Sequence, residues 1–134
     1  LNKAKFYLEL TIVNEPAYTK AYEALGKVNM QLNLFDEAYK NFTNCVEINH
    51  LSYLSYYHLA EIHNKKEEWD NARISAKKSI EIKKRFAPAY IELGIAEENL
   101  NNNPAAIAAF EKAKSDKDWR AVAQFYIDQL NKKK

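Results

Sequence analysis

The residue types that most often carry out catalysis or bind metals are scarce in this chain. It contains three histidines, His50, His58 and His63, and one cysteine, Cys45. On a helix, His58 and His63 lie about 140° apart around the axis, so they cannot share a metal ion as an i,i+4 pair can. The sequence also lacks a glycine-rich phosphate-binding loop and a nucleophile elbow. We therefore predict no catalytic residue, no metal site and no cofactor, with His58 exposed and Cys45 packed in the core.

The composition favours a soluble protein made of helices. The chain has 134 residues, 47% hydrophobic and 28% charged, with only 2 glycines and 3 prolines for tight turns. The formal net charge of +2 provides no broad attraction for nucleic acid. No apolar run approaches the roughly 18 residues that cross a membrane. Cys45 is compatible with a reducing compartment such as the cytoplasm, and the compartment stays open. Because the chain begins with Leu1 rather than Met, we expect a segment of a longer chain or one whose leader was removed.

Internal repetition is the main feature of the sequence. An aromatic residue, then Leu, then Gly or Ala recurs every 34 residues, as Tyr22, Leu25 and Gly26, as Tyr56, Leu59 and Ala60, and as Tyr90, Leu93 and Gly94. The later part of each unit repeats as Ala38, Ala72 and Ala106, as Phe42, Ala76 and Phe110, and as Cys45, Ser79 and Ala113. A shift back by the same period matches Ala4, Leu8, Thr11 and Pro16. Half a unit therefore precedes three complete units.

Each unit is predicted to contain two helices separated by a short break. In the first unit one helical face carries Tyr22, Leu25, Val28, Asn29 and Leu32, with Asn29 as the polar exception. Asp36 is expected to cap the second helix, Asn103 to do the same in the third unit, and Asp118 to cap a final helix from Trp119 to about Leu130. The small residues Ala38, Ala72, Ala106, Gly26 and Gly94 are expected to let the two helices of a unit approach closely.

This pattern resembles the tetratricopeptide repeat, and the resemblance covers almost the whole chain. It implies an all-α fold, a right-handed α-solenoid of antiparallel helix pairs that forms a single domain over residues 1–134. We divide it into the second helix of a preceding repeat (1–18), three repeats (19–52, 53–86 and 87–118), and a capping helix with its tail (119–134). Where the family often has a tyrosine late in the first helix, this chain has Asn29, His63 and Glu97.

The resemblance implies a concave surface, lined by the first helices of successive repeats, that holds a peptide or helix of a partner protein. We call the following residues the groove surface: Lys20, Glu23, Lys27, Leu54, Tyr57, Glu61, Ile91, Ile95 and Phe125. The same helix faces also carry Met30, Asn64, Glu98, Val122 and Gln129. We expect an exposed apolar stripe at one end of this surface, formed by Leu54, Tyr57, Ile91, Ile95 and Phe125. The alternative is that the C-terminal helix or tail covers these residues.

Members of the family that bind chaperone tails clamp a terminal carboxylate with lysine, arginine and asparagine side chains. The matching positions in this chain hold Glu23, Lys27, His58, Pro88 and Glu92. Because two carboxylates repel a third, we predict that this chain is not such a clamp. The resemblance therefore implies a non-enzymatic scaffold whose protein partner is of unknown identity.

The first helix is apolar on two sides. One stripe, expected to face the first complete repeat, contains Leu1, Ala4, Leu8 and Ile12. A second stripe, which we call the N-terminal edge, contains Phe6, Leu10 and Val13. A helix that is apolar on two sides is usually buried on two sides. Either a preceding helix covers the N-terminal edge, or another copy of the chain packs there, which gives a homo-oligomeric assembly module as the alternative function.

Overall fold

The computed structural model describes residues 1–133, and this part of the chain contains eight α-helices and no strand. The helices are α1 (Asn2–Asn14), α2 (Thr19–Gln31), α3 (Phe35–Ile48), α4 (Tyr53–Lys65), α5 (Trp69–Ile82), α6 (Ala87–Asn99), α7 (Asn103–Ala113) and α8 (Arg120–Lys132). Helices α2, α4 and α6 begin 34 residues apart, and so do α3, α5 and α7. The all-α solenoid predicted from the repeat is confirmed.

The helices pack as successive antiparallel pairs. The most extensive contacts join α2 to α3, α4 to α5 and α6 to α7, and smaller ones join each pair to the next. Helix α1 packs against α2, and α8 packs against α7. Only three residues separate the helices of a pair, and connections this short produce antiparallel neighbours. Each helix among residues 1–133 is too short or too polar to cross a lipid bilayer.

The turn inside each pair has the same backbone geometry. Asn33, Glu67 and Asn101 have φ values of 61°, 60° and 61°, in the left-handed region. The next amide then donates to a carbonyl five residues back, at 2.8 Å from Leu34 to Asn29 in the first pair. This arrangement satisfies carbonyl groups that the end of the first helix would otherwise leave without a partner. Left-handed backbone is tolerated better by asparagine than by the glutamate at Glu67.

The predicted side-chain caps were wrong. Helix α3 begins at Phe35, and Asp36 lies in its first turn, where it forms an ion pair with Lys66 of the next pair. Helix α7 begins at Asn103 without a side-chain cap. At Asp118 the backbone N–H donates to Asp116 Oδ1 at 2.8 Å, and α8 begins two residues later. Because the tight turn at Asn33 already fixes where α3 starts, the Asp36 carboxylate is free to bond Lys66.

Gly26 and Gly94 are required by the aromatic side chains that face them. A Cβ atom at Gly26 would lie 2.6 Å from the Phe42 ring, and one at Gly94 would overlap Phe110 in the same way. In the middle repeat the equivalent positions are Ala60 and Ala76, and both are fully buried. The helices therefore do approach closely at these positions, and the near neighbour is the aromatic ring of the partner helix.

A buried carboxylate joins the second repeat to the third. Glu97 on α6 is 5% exposed and forms an ion pair with Arg73 on α5. Asn102 Nδ2 donates a hydrogen bond to the other carboxylate oxygen, Glu97 Oε2, at 3.0 Å. Glu97 occupies one of the positions where the family often has tyrosine. Its charge is compensated within the core rather than exposed to a ligand.

Candidate functional site: the groove surface

The N-terminal part of the groove surface is charged. Lys20 and Lys27 are exposed, and Glu23 is partly buried between them on α2. Lys27 Nζ lies 3.4 Å from Glu23 Oε1, and Ser52 Oγ donates to Glu23 Oε2 at 3.4 Å. These contacts fix the Glu23 carboxylate and leave the two ammonium groups accessible to a partner.

The central part, on α4 and α6, combines an aromatic ring with two carboxylates. Tyr57 is partly buried, and its pKa is raised by burial and by the negative charges of Glu61 and Glu92. Glu92 accepts a hydrogen bond from Asn64 Nδ2 at 3.0 Å, and the same nitrogen donates to the Glu92 backbone carbonyl at 3.0 Å. Burial raises the pKa of Glu92 from 4.5 to about 7, against the opposing effect of the Asn64 hydrogen bond.

The C-terminal part differs from the expectation at Ile91. Ile91 is only 3% exposed, because it packs in a core cluster with residues of α8 such as Ala123 and Ile127. Its assignment to an exposed stripe was therefore wrong, and the alternative that the C-terminal helix covers this position is correct for Ile91. Ile95 is partly buried against the same cluster, whereas Phe125 on α8 is 57% exposed.

The accessible apolar side chains of the groove surface are thus Leu54, Tyr57, Ile95 and Phe125. Leu54 is partly buried. Val122, one helical turn before Phe125, is 38% exposed, so α8 presents two apolar side chains on the same face. Phe125 follows Ile91 by one repeat period, so the two residues occupy equivalent positions. Helix α8 covers Ile91. No helix follows α8 within residues 1–133, which accounts for the greater exposure of Phe125.

Two of the three histidines, His58 and His63, are partly buried and paired with carboxylates, whereas His50 is exposed. His58 was expected to be exposed, but it is partly buried and stacks on the Phe42 ring, with centroids 4.8 Å apart. Its Nδ1 lies 2.8 Å from Glu61 Oε1, which ties it to the groove surface. His63 Nδ1 lies 2.9 Å from Glu68 Oε1. Within residues 1–133 no three histidine, cysteine, aspartate or glutamate side chains are grouped as metal ligands. Cys45 is fully buried, as expected.

The N-terminal edge is exposed. Phe6 is 62% exposed, Leu10 47% and Val13 75%. On the other stripe, Leu8 and Ile12 are partly buried against α2 as expected. Leu1 and Ala4, however, are exposed. Their assignment to the buried stripe was wrong.

The geometry agrees with comparisons to known proteins. A family model described as a tetratricopeptide repeat matches residues 19–49. A crystal structure of MamA superposes with a TM-score of 0.80 at 27% sequence identity, covering 90% of this chain and 70% of that one. The chain therefore contains a tetratricopeptide repeat, and its fold is that of the solved structures to which it is similar. The Arabidopsis OM64 TPR domain superposes with a TM-score of 0.82 at 20% identity, over 87% of this chain and 96% of that domain. No curated protein matches the sequence significantly.

Tetratricopeptide repeats are typically non-enzymatic interaction modules, and this fold is that of a protein–protein interaction scaffold. The carboxylates at the positions used by carboxylate clamps have their own partners here. Glu23 bonds Lys27 and Ser52, and Glu92 bonds Asn64. The sequence placed Asn64 on the same helix face as the groove-surface residues of α4 but did not predict its bond to Glu92. The two residues are 28 positions apart, and only the packing of α4 against α6 brings them together.

Proposed function

We propose that this tetratricopeptide-repeat protein is a scaffold that binds a peptide or helix of a partner protein along the groove surface. The observation that carries the proposal is the exposure of Phe125, 57%, together with that of Val122, 38%, on the face that continues the groove surface onto α8. An exposed apolar patch at the place where this fold presents its first helices favours a partner site. Leu54, Tyr57 and Ile95 extend the patch toward the second repeat.

Charged residues set the direction and register of the bound segment. Lys20 and Lys27 lie at one end of the groove surface, and Glu61 lies near its centre. A partner segment with acidic residues at one end and apolar residues at the other matches this distribution. Charge complementarity of this kind contributes more to specificity and association rate than to affinity. We expect micromolar affinity, about −8 kcal/mol, dominated by the large apolar anchors.

The test is an affinity capture of partners with the wild-type chain and the Phe125→Glu variant. Because Phe125 is exposed, the substitution is expected to leave the fold intact, whereas Ile91→Glu would disrupt the core. Ile74→Glu is the matched control, since Ile74 on α5 is 52% exposed and lies outside the groove surface. Circular dichroism verifies that each variant is folded.

The proposal predicts a partner that wild type and Ile74→Glu capture and Phe125→Glu does not. Direct titration of that purified partner should then show at least a tenfold loss of affinity for Phe125→Glu, since removal of an aromatic anchor typically costs 2 kcal/mol or more. Equal binding by the three proteins would refute the role of the groove surface.

The N-terminal edge supports a second function, a homo-oligomeric assembly module. Phe6, Leu10 and Val13 form an exposed apolar stripe on α1, and Tyr7 beside Phe6 is 58% exposed. A second copy packed on this stripe would remove it from water. Leu10→Glu should then convert the assembly to monomers in light scattering, whereas Ile74→Glu should not. A wild-type chain that is monomeric at high concentration would exclude this function.

A further inference from the structure

The carboxylates on and beside the groove surface differ in whether a positively charged side chain lies next to them. We call the region around Tyr57, Glu61 and Glu92 the groove centre. Glu23 lies 3.4 Å from Lys27, and Glu98 lies 2.9 Å from Lys133. Glu61 lies 2.8 Å from His58 Nδ1, whose ring carries charge only when it is protonated. Glu92 is different: within residues 1–133 it has no cationic group within 4.0 Å. Its side chain is partly buried, so water solvates the carboxylate only in part.

The charged groups around Glu92 do not supply a cation. On α4, the neutral phenol of Tyr57 and the negative carboxylate of Glu61 lie near Glu92. His58, also on α4, pairs with Glu61 instead. Lys65 acts on Glu92 only from a distance, because its ammonium lies over the Phe35 ring at 5.6 Å from the centroid. On α8 the facing group is the phenol of Tyr126.

A second, independent feature of this place is an unsatisfied acceptor. Asn64 is 8% exposed, and its Nδ2 holds Glu92, but its Oδ1 is buried without a hydrogen-bond donor. Leaving a buried acceptor unpaired is unfavourable, because the group has lost its hydrogen bonds to water without replacing them. The place therefore has a surplus of acceptors, the Glu92 carboxylate and Asn64 Oδ1, and lacks a donor that also carries positive charge.

We propose that the partner segment supplies this donor as a lysine or arginine side chain that binds Glu92 and Asn64 beside the Tyr57 ring. Because Asn64 Oδ1 is buried in the free protein, the proposal requires the Asn64 carboxamide to turn when the partner binds. Ammonium and guanidinium groups carry several N–H donors, and their alkyl stems pack on aromatic surfaces. The inference rests on the proposed groove function and specifies the partner's chemistry: a basic residue flanked by apolar residues, which reach Leu54 and Ile95 on either side.

The experiment uses a display library of random 16-residue peptides, selected separately on the wild-type chain and on Glu92→Gln. Glu92→Gln keeps an oxygen for the Asn64 hydrogen bond and removes the charge. The wild-type chain should enrich peptides with lysine or arginine at one position between apolar residues. The variant should retain the apolar preference and lose the basic one. Selection of the same sequences by both proteins would overturn the inference.

One selected peptide is then measured quantitatively by fluorescence anisotropy at pH 8. Norleucine in place of its basic residue should weaken binding to the wild-type chain by about tenfold or more, as expected for a charge-assisted hydrogen bond. The same replacement should have little further effect on Glu92→Gln. Independent, additive losses in the two proteins would mean that the basic residue binds elsewhere.

The pH dependence gives a readout that loss of packing would not produce. Because Glu92 titrates with a pKa of about 7 in the free protein, its protonation competes with the cation. Affinity for the basic peptide should fall about tenfold from pH 8 to pH 6 in the wild-type chain and stay constant in Glu92→Gln. His58→Gln serves as a control and should keep the fall. A fall that disappears with His58→Gln instead would assign the effect to His58 and overturn the inference.

The two proposals fail in different ways. If selected peptides lose affinity for Phe125→Glu but show no basic preference, the groove binds apolar segments and the Glu92 inference alone is wrong. If no selected peptide is affected by Phe125→Glu or by Glu92→Gln, both the groove function and this inference are wrong.

Discussion

Glu92→Gln should make the isolated protein more stable, by an amount that depends on pH. The folded protein raises the pKa of Glu92 from 4.5 to about 7, chiefly through burial, so it binds the proton more tightly than the unfolded chain does. Each tenfold difference in proton affinity corresponds to about 1.4 kcal/mol. At pH values above 7, ionised Glu92 therefore lowers the free energy of unfolding by about 3 kcal/mol. Glutamine carries no charge and keeps the Asn64 hydrogen bond.

The sign follows from linkage between protonation and folding. Between pH 4.5 and pH 7 the folded state holds more protons than the unfolded state, so this group makes stability fall as pH rises through that range. The gain from Glu92→Gln should be about 3 kcal/mol at pH 8.5 and about 1 kcal/mol at pH 5. Urea unfolding followed by circular dichroism at both pH values measures it. Titrations that the substitution leaves unchanged contribute equally to both proteins and cancel in the difference.

Two results would refute this reasoning. A gain that is equal at pH 5 and pH 8.5 would show that glutamine stabilises by packing rather than by removing a charge. A loss of stability at pH 8.5 would show that the ionised carboxylate is well compensated in the folded protein. In that case the groove centre would have no need for a cation from a partner, and the further inference would lose its physical basis.

Three other substitutions test the packing, each by urea unfolding. Gly94→Ala should lower stability by about 1–3 kcal/mol because the added Cβ overlaps the Phe110 ring, and combination with Phe110→Ala should cost less than the sum of the single changes; strict additivity would contradict the overlap. Glu67→Gly should raise stability by about 1 kcal/mol by removing a left-handed glutamate, and a decrease would argue against that backbone. Arg73→Ala should lower stability by about 2–3 kcal/mol because it leaves Glu97 buried without its cation, and a neutral outcome would show that Asn102 suffices.

The repeat made the helices predictable. Equal spacing of Tyr22, Tyr56 and Tyr90 fixes the phase of the first helices, and Ala38, Ala72 and Ala106 do the same for the second helices. Such positions are determined by contacts inside one helix pair, which recur with the period. The close approach at Gly26 and Gly94 was predictable for the same reason, since glycine within a helix is unfavourable unless packing requires it.

The errors at the groove surface concern contacts between one pair and the next. Ile91 has the spacing of a groove residue, but the way α8 packs on the third pair buries it. That packing depends on an interhelical arrangement that a helical-face analysis does not contain. Likewise, the sequence did not predict the ion pair of Asp36 with Lys66, which crosses from one repeat to the next. The bond between Asn64 and Glu92 is also between repeats, and it is the contact on which the partner's chemistry depends.

The turns at Asn33, Glu67 and Asn101 have the same geometry, so the number of repeats can change while each remaining repeat keeps its structure. Removal of residues 53–86 would join Ser52 to Ala87 at equivalent points of two units, so every remaining helix would keep its phase. Duplication of the same segment would do so too, whereas an insertion that is not a whole number of repeat units would not. Gain or loss of whole units by recombination within the gene can therefore lengthen or shorten the binding surface without a new fold. The deletion described would also remove Tyr57, Glu61 and Asn64, and so change what the surface recognises.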